Sequence, residues 1–199
     1  IPQISPSATN PKYTDQGFKT TYRVVANDNQ QGKVLGEYIA GELKAKALAI
    51  IDDRTAYGQG VADVVEKSAK AAGAKVVARE FTTDKSTDFK AILTKIKSRN
   101  PDVIFFGGID TQAGPMLQQM KALGIKAQYV GADGIQSSEL FKLGGDAHHW
   151  AEAMEQVNSG EMPPKKDKEK KPAQEESETE AQAMQNAVVG GIVDMVQPR

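Results

Sequence analysis

ALAIIDDRTAYGQG, residues 47–60, is the stretch whose reading decides the fold. It opens as a short apolar run rich in Ile and Ala, which suits a strand buried on both faces of a parallel sheet. Asp52, Asp53 and Arg54 then read as the end of that strand, because charged side chains cannot continue a doubly buried one. Gly58 and Gly60 flank the start of a helical spacing at Val61, Val64, Val65 and Ala69. This reading puts Tyr57 on a strand-to-helix loop. In an open α/β sheet such loops gather at the carboxyl ends of the strands, where ligands bind, so Tyr57 is the first candidate functional residue.

The same unit recurs outward from this stretch. Upstream, Asn27-Asp28-Asn29 can cap a helix carrying Val34, Leu35, Tyr38, Ile39 and Leu43 at three-and-four spacing. Downstream, a strand at 48–51 is followed by a helix over 61–72 that Gly73 can end. A strand at 75–81 precedes a helix with Phe89, Ile92, Leu93 and Ile96 on one face. A strand at 103–106 meets Gly107-Gly108 and then a helix with Met116, Leu117 and Met120, closed by Gly124, and a strand at 127–130 ends at Gly131. Strands alternating with helices in this way predict an α/β fold with a parallel sheet and right-handed crossovers.

Residues 1–24 read differently. Prolines on either side of Ser7-Ala8-Thr9 forbid a regular helix there, predicting a loop with hydroxyls and free backbone N–H groups, and the stretch from Phe18 to Val25 alternates loosely as a strand does.

Composition bounds the function. The 199 residues can bury a real core. With 25 basic and 26 acidic residues the net charge is −1, which gives no footprint for nucleic acid. The chain has no cysteine, excluding disulfides, thiolate metal sites and a cysteine nucleophile. No apolar run approaches the roughly 20 residues that span a bilayer, so no direct membrane insertion is predicted. No signal peptide is present in the chain, which opens with Ile1-Pro2-Gln3-Ile4 and not with methionine, so that absence carries no information about export.

After about Ala147 the composition changes. Five lysines fall within 165–171 and four glutamates within 175–180, so 159–178 reads as a low-complexity flexible linker. Met184, Val188, Ile192 and Met195 return to helical spacing, predicting a short terminal helix.

Several stretches, taken together and in order, carry a resemblance. They are Ile4-Ser5-Pro6-Ser7-Ala8-Thr9-Asn10-Pro11, Asp53 with Tyr57-Gly58-Gln59-Gly60, Thr87-Asp88-Phe89 with Pro101-Asp102, Phe106-Gly107-Gly108, and Gly131-Ala132-Asp133-Gly134. Over about residues 1–147 the chain resembles the leucine/isoleucine/valine-binding family of type I periplasmic solute-binding proteins, the substrate-binding components of ABC importers. The resemblance implies two α/β lobes joined by hinge strands, with a small amino acid held between them. Residues 1–24 then look like a remnant of the first lobe and hinge, residues 25–147 like the second lobe, and residues 148–199 like an unrelated tail, so a fragment or chimera is expected.

The resemblance also implies a site. Ser7, Ala8 and Thr9 match the loop that holds the ligand carboxylate through hydroxyls and a backbone N–H, Tyr57 matches an aromatic that packs on the ligand, and Asp133 matches the carboxylate that pairs with the ligand ammonium. Ile109 stands where the amino-acid binders often have an aromatic, which leaves other small amphipathic ligands open. The implied partners are that ligand and an ABC transporter permease, on the periplasmic or extracellular face; a ligand-sensing regulatory or receptor module using the same fold is the alternative. Without the resemblance, Ser7 and Thr9 read as turn formers, Tyr57 as cover for a helix end, and Asp133 as a cap.

Other signals point nowhere. Gly58-Gln59-Gly60 lacks the third glycine of a dinucleotide fingerprint, since residue 63 is Asp. His148-His149 have no spaced partner for a metal. No Gly-x-Ser-x-Gly elbow or nucleophile–base pair appears, so neither catalytic residues nor a cofactor are predicted.

Overall fold

The computed structural model describes residues 1–137 together with Leu140 and Leu143. β1 (Gln3–Ser5) is followed by a helical turn, α1 (Lys12–Asp15), and by β2 (Thr21–Arg23), which pairs with β1 in parallel. Then come α2 (Asp28–Gly41), β3 (Ala47–Asp52), α3 (Ala56–Ala71), β4 (Lys75–Phe81), α4 (Lys90–Lys97), β5 (Val103–Gly107), α5 (Asp110–Ala122), β6 (Gln128–Gly131) and a 3-10 turn at Asp133–Ile135. The last four strands form one parallel sheet in the order β4-β3-β5-β6.

Strand alternation sorts the core into two layers. Leu48 and Ile50 of β3, Val103 and Phe105 of β5 and Val130 of β6 meet Leu35 and Ile39 of α2 and Val61, Val65 and Ala69 of α3. Ala49 and Ile51, Ile104 and Phe106, and Tyr129 face the other way, against Leu93 and Ile96 of α4 and Met116, Leu117 and Met120 of α5. Both faces of β3 and β5 are therefore apolar, which is why these strands read as continuous hydrophobic runs. Burying one such Leu, Ile or Phe side chain stabilises the fold by about 1.5–3 kcal/mol. On the β4 edge the pairing with β3 slips by one residue between Leu48 and Ala49, which sends Val76 and Ala78 to opposite layers.

The structure corrects three local readings. Asp52 continues β3 and is buried, because Arg79 of β4 pairs with its carboxylate at 2.7 Å. Tyr57 lies in the first turn of α3 and not on a loop: Thr55 caps the helix, its Oγ1 accepting from Gly58 N–H at 2.9 Å, so the helix starts five residues before Val61. The N–H groups of Ser7 and Ala8 are not free, since both donate to Ser5 Oγ at 3.3 and 2.9 Å. By contrast, Gly73 and Gly124 follow α3 and α5 with φ of +99° and +63°, the left-handed conformation that suits a glycine past a helix end.

Asp102, just before β5, accepts the N–H groups of Lys46 and Ala47 at 2.8 and 2.9 Å, tying the entry of β3 to that of β5. Thermal unfolding of Asp102→Ala is expected to show a loss of about 1–2 kcal/mol, since two backbone donors lose a charged acceptor.

No helix among the described residues is long and apolar enough to cross a membrane. The 159–178 linker, the terminal helix, His148-His149 and the tail at 148–199 lie outside the described residues.

Candidate functional site

β3 lies between β4 and β5, so the chain leaves β3 toward one side and returns on the other. Such a switch point opens a crevice at the carboxyl ends of the strands. Tyr57 follows β3, Gly107-Gly108 closes β5, and Asp133 follows β6, so the three converge there. Tyr57 OH donates to Asp133 Oδ1 at 2.6 Å and accepts from Gly134 N–H at 2.8 Å. A Cβ on residue 134 would sit 2.7 Å from the Tyr57 hydroxyl, so only glycine lets the phenol approach. Burial, then the charge of Asp133, holds the Tyr57 phenol above its ordinary range, which makes it a neutral donor to that carboxylate. Beneath the turn, Ile135 is buried and Ser137 Oγ bonds Asp110 Oδ2 of α5, so exposed Asp133 stands on an anchored base.

Across from this pair lies a residue the sequence reading placed only in a cap. In Asn27-Asp28-Asn29 the capping is done by Asn27, whose Oδ1 accepts from Asn29 and Gln30 N–H at 3.1 and 3.3 Å. Asp28 is left as the first residue of α2, 0% exposed, its N–H donating to the Thr9 carbonyl at 2.9 Å. Neither Asp28 carboxylate oxygen has a hydrogen-bond partner, and neither has the buried Thr9 Oγ1. Burial pushes the Asp28 carboxyl up to about 6 from 3.8; Asp133 adds to the rise, while the Thr9 side chain and Arg23 oppose it. The signal that could have found Asp28 was three Asx residues in a row where a helix needs one cap.

The opening loop reaches this cluster through Thr9. Asn10 Nδ2 donates to Ala56 O at 2.5 Å, fastening the loop to the start of α3, and Gly60 leaves the space: a Cβ there would meet Asn10 Nδ2 at 2.7 Å. Ser7 is exposed and Ala8 half-buried, and their bonds run within the segment itself, to Ser5 and Arg23. Thus Tyr57 and Asp133 are brought together, Thr9 joins them by way of Asp28, and Ser7 and Ala8 make no bond to that group. Ile109, 41% exposed, presents an apolar side chain where α5 begins.

Two carboxylates near enough for Asp133 to raise the Asp28 carboxyl, with Thr9 Oγ1 beside Asp28, make an anionic site with a hydroxyl at its edge. Its electrostatics call for a cation, because a buried unpaired carboxylate is costly until one arrives. Among the described residues, no three His, Cys, Asp or Glu side chains come together in an arrangement that could hold a metal ion.

A family model described as periplasmic binding protein matches residues 1–187. The chain is 42% identical over 147 residues to Leu/Ile/Val-binding protein homolog 1 of Brucella abortus, covering 74% of this chain and 40% of that protein. A leucine-binding protein from Thermotoga maritima superposes with a TM-score of 0.70 at 29% identity, over 74% of this chain and 42% of that one. The branched-chain amino acid transporter substrate-binding protein of Streptococcus pneumoniae, solved in complex with isoleucine, gives 0.63 at 30% identity, over 73% and 41%. The chain spans about two fifths of the length of the curated relatives it matches.

Proposed function

The chain belongs to the periplasmic binding protein family, and from that premise we propose that it supplies one side of an amino-acid cleft in the solute-binding component of an ABC importer. The observation that carries this reading is the buried Asp28 carboxylate with Thr9 Oγ1 close enough to steady it and no cation bonded to either, near the Tyr57–Asp133 bond. A zwitterion satisfies both ends of such a site. Its ammonium lies between Asp28 and Asp133, its carboxylate takes the Ser7 and Thr9 hydroxyls and the Thr9 N–H, and its apolar side chain meets Ile109. Residues 1–24 act as part of the first lobe and hinge, and residues 25–147 as the second lobe. Closure of the lobes over the ligand is favoured only by the contacts the closed form adds. The work is capture and handover to a permease on the periplasmic or extracellular face, with no bond made or broken.

Titrating the 15N-labelled chain with isoleucine tests the reading. One side of a cleft is expected to bind weakly, with a Kd of about 1 mM, or about 4 kcal/mol. Shifts should appear at Thr9, Asp28, Tyr57 and Asp133, and 3-methylpentanoate, which is isoleucine without its ammonium, should produce none. Equal shifts with both compounds, or none with isoleucine at saturating concentration, would overturn it.

A further inference from the structure

Four consecutive carbonyls, those of Ala8, Thr9, Asn10 and Pro11, converge on one guanidinium. Arg23 Nη1 donates to Ala8 O at 3.0 Å and Thr9 O at 2.8 Å. Its Nη2 donates to Asn10 O at 3.0 Å, Pro11 O at 3.1 Å and Thr14 Oγ1 at 2.7 Å. The guanidinium carbon also lies 5.8 Å from the centroid of the Tyr13 ring. These five acceptors already exceed the four N–H bonds on the two Nη atoms, so they are shared and none is left over.

The register of the small sheet sets this up. Arg23 pairs with Ser5 across β1 and β2, and Ser5 Oγ in turn holds the Ser7 and Ala8 N–H groups. The loop is thus gripped from both sides, by a hydroxyl on its early N–H groups and a cation on its later carbonyls. In a trans peptide the N–H points opposite to the carbonyl of the same unit. The N–H groups of Thr9 and Asn10 belong to the units whose carbonyls Arg23 takes, so they face away from the guanidinium.

We propose that Arg23 is a positioning residue of the binding site, a clamp that shapes residues 8–11 so that Thr9 and the loop N–H groups are presented to the ligand carboxylate while the guanidinium stays out of contact. An arginine this close to a carboxylate-binding loop would ordinarily be assigned to the carboxylate itself. Here its Nη donors are spent on four backbone carbonyls and the Thr14 hydroxyl, and recognition is left to neutral groups. The use of the clamp rests on the amino-acid reading above; the clamp itself does not.

Arg23→Lys separates charge from shape, since it keeps the cation but offers one nitrogen where the fork offers two. The N–H residual dipolar couplings of Thr9 and Asn10, which report the direction of those bonds, are expected to change in this variant while those of β3, β5 and β6 stay as in wild type. Isoleucine affinity should fall by about fivefold to tenfold, the scale of losing one bond from a charged donor. Millimolar guanidinium added to Arg23→Ala should return the loop couplings toward wild type, which a general loss of packing would not allow. Wild-type couplings at Thr9 and Asn10 in Arg23→Lys overturn the clamp, as does lost affinity with unmoved loop N–H bonds, the result expected of an arginine that touches the ligand. Should the Arg23 variants melt the small sheet, Thr14→Val removes the one side-chain acceptor and leaves four N–H bonds for four carbonyls; loop couplings kept at wild-type values support the clamp, and changed couplings overturn it. The coupling measurement needs no ligand, so a wild-type chain that fails to bind isoleucine counts against the amino-acid reading and leaves the clamp to be decided by the couplings alone.

Discussion

Asp28→Asn is expected to make the ligand-free protein more stable at neutral pH and to cost it its ligand. Asp28 is fully buried, its two oxygens have no partner, and its carboxyl is pushed up to about 6. A folded-state value above the unfolded one means that the native protein binds the proton more tightly. The stability this lends is complete below about pH 4, the unfolded value, and is lost as pH rises through about 6. By linkage the shift is worth up to about 3 kcal/mol, and all of it is missing at pH 7. Asparagine removes the charge, so urea midpoints at pH 7.5 should rise by the equivalent of about 1–3 kcal/mol, and the decline between about pH 4 and 6 should flatten. Isoleucine affinity should fall at least about tenfold, because an amide accepts from an ammonium without supplying its counter-charge. A variant that is less stable at pH 7.5, or that keeps the wild-type decline with pH, would show that Asp28 is not held ionised without a partner.

That trade explains what could and could not be read from the chain. The strands and helices were legible because β3 and β5 are buried on both faces, so that apolar runs and three-and-four spacings had no competing explanation. The start of α3 was not, because Thr55 looks like one more polar loop residue until its hydroxyl is seen on Gly58 N–H. Asp52 was lost from β3 for a related reason: a charge ends a buried strand unless a neighbouring strand brings its counter-ion, and Arg79 is 27 positions away in sequence. β1 was invisible because its partner, β2, follows only after a proline-framed loop and a helical turn. At the site, Tyr57 was picked out by its place after a buried strand and Asp133 through family resemblance, whereas Asp28 was masked by its neighbours Asn27 and Asn29. Functional groups break local rules, and a buried carboxylate without a partner is such a breach.

The largest loss of affinity is expected from Asp133. Asp133→Asn keeps an oxygen that can still accept from Tyr57 OH and removes the charge. The ligand ammonium is then left with one counter-ion in place of two, which should weaken isoleucine binding by about 2 kcal/mol, roughly thirtyfold. Tyr57→Phe acts on the same carboxylate from behind. It leaves Asp133 Oδ1 and Gly134 N–H without the bonds now seen at 2.6 and 2.8 Å, so Asp133 swings more freely and affinity should drop about tenfold. If the phenol works by holding the carboxylate, the two changes cannot add: once the charge is gone, nothing remains for Tyr57 to aim. The double variant should therefore bind much as Asp133→Asn alone does, with a coupling energy of about 1 kcal/mol in the cycle. If the phenol instead packs on the ligand, its loss is independent of the charge and the effects add. Titrating the four 15N-labelled proteins with isoleucine separates these outcomes, and strict additivity would return Tyr57 to direct contact with the bound amino acid.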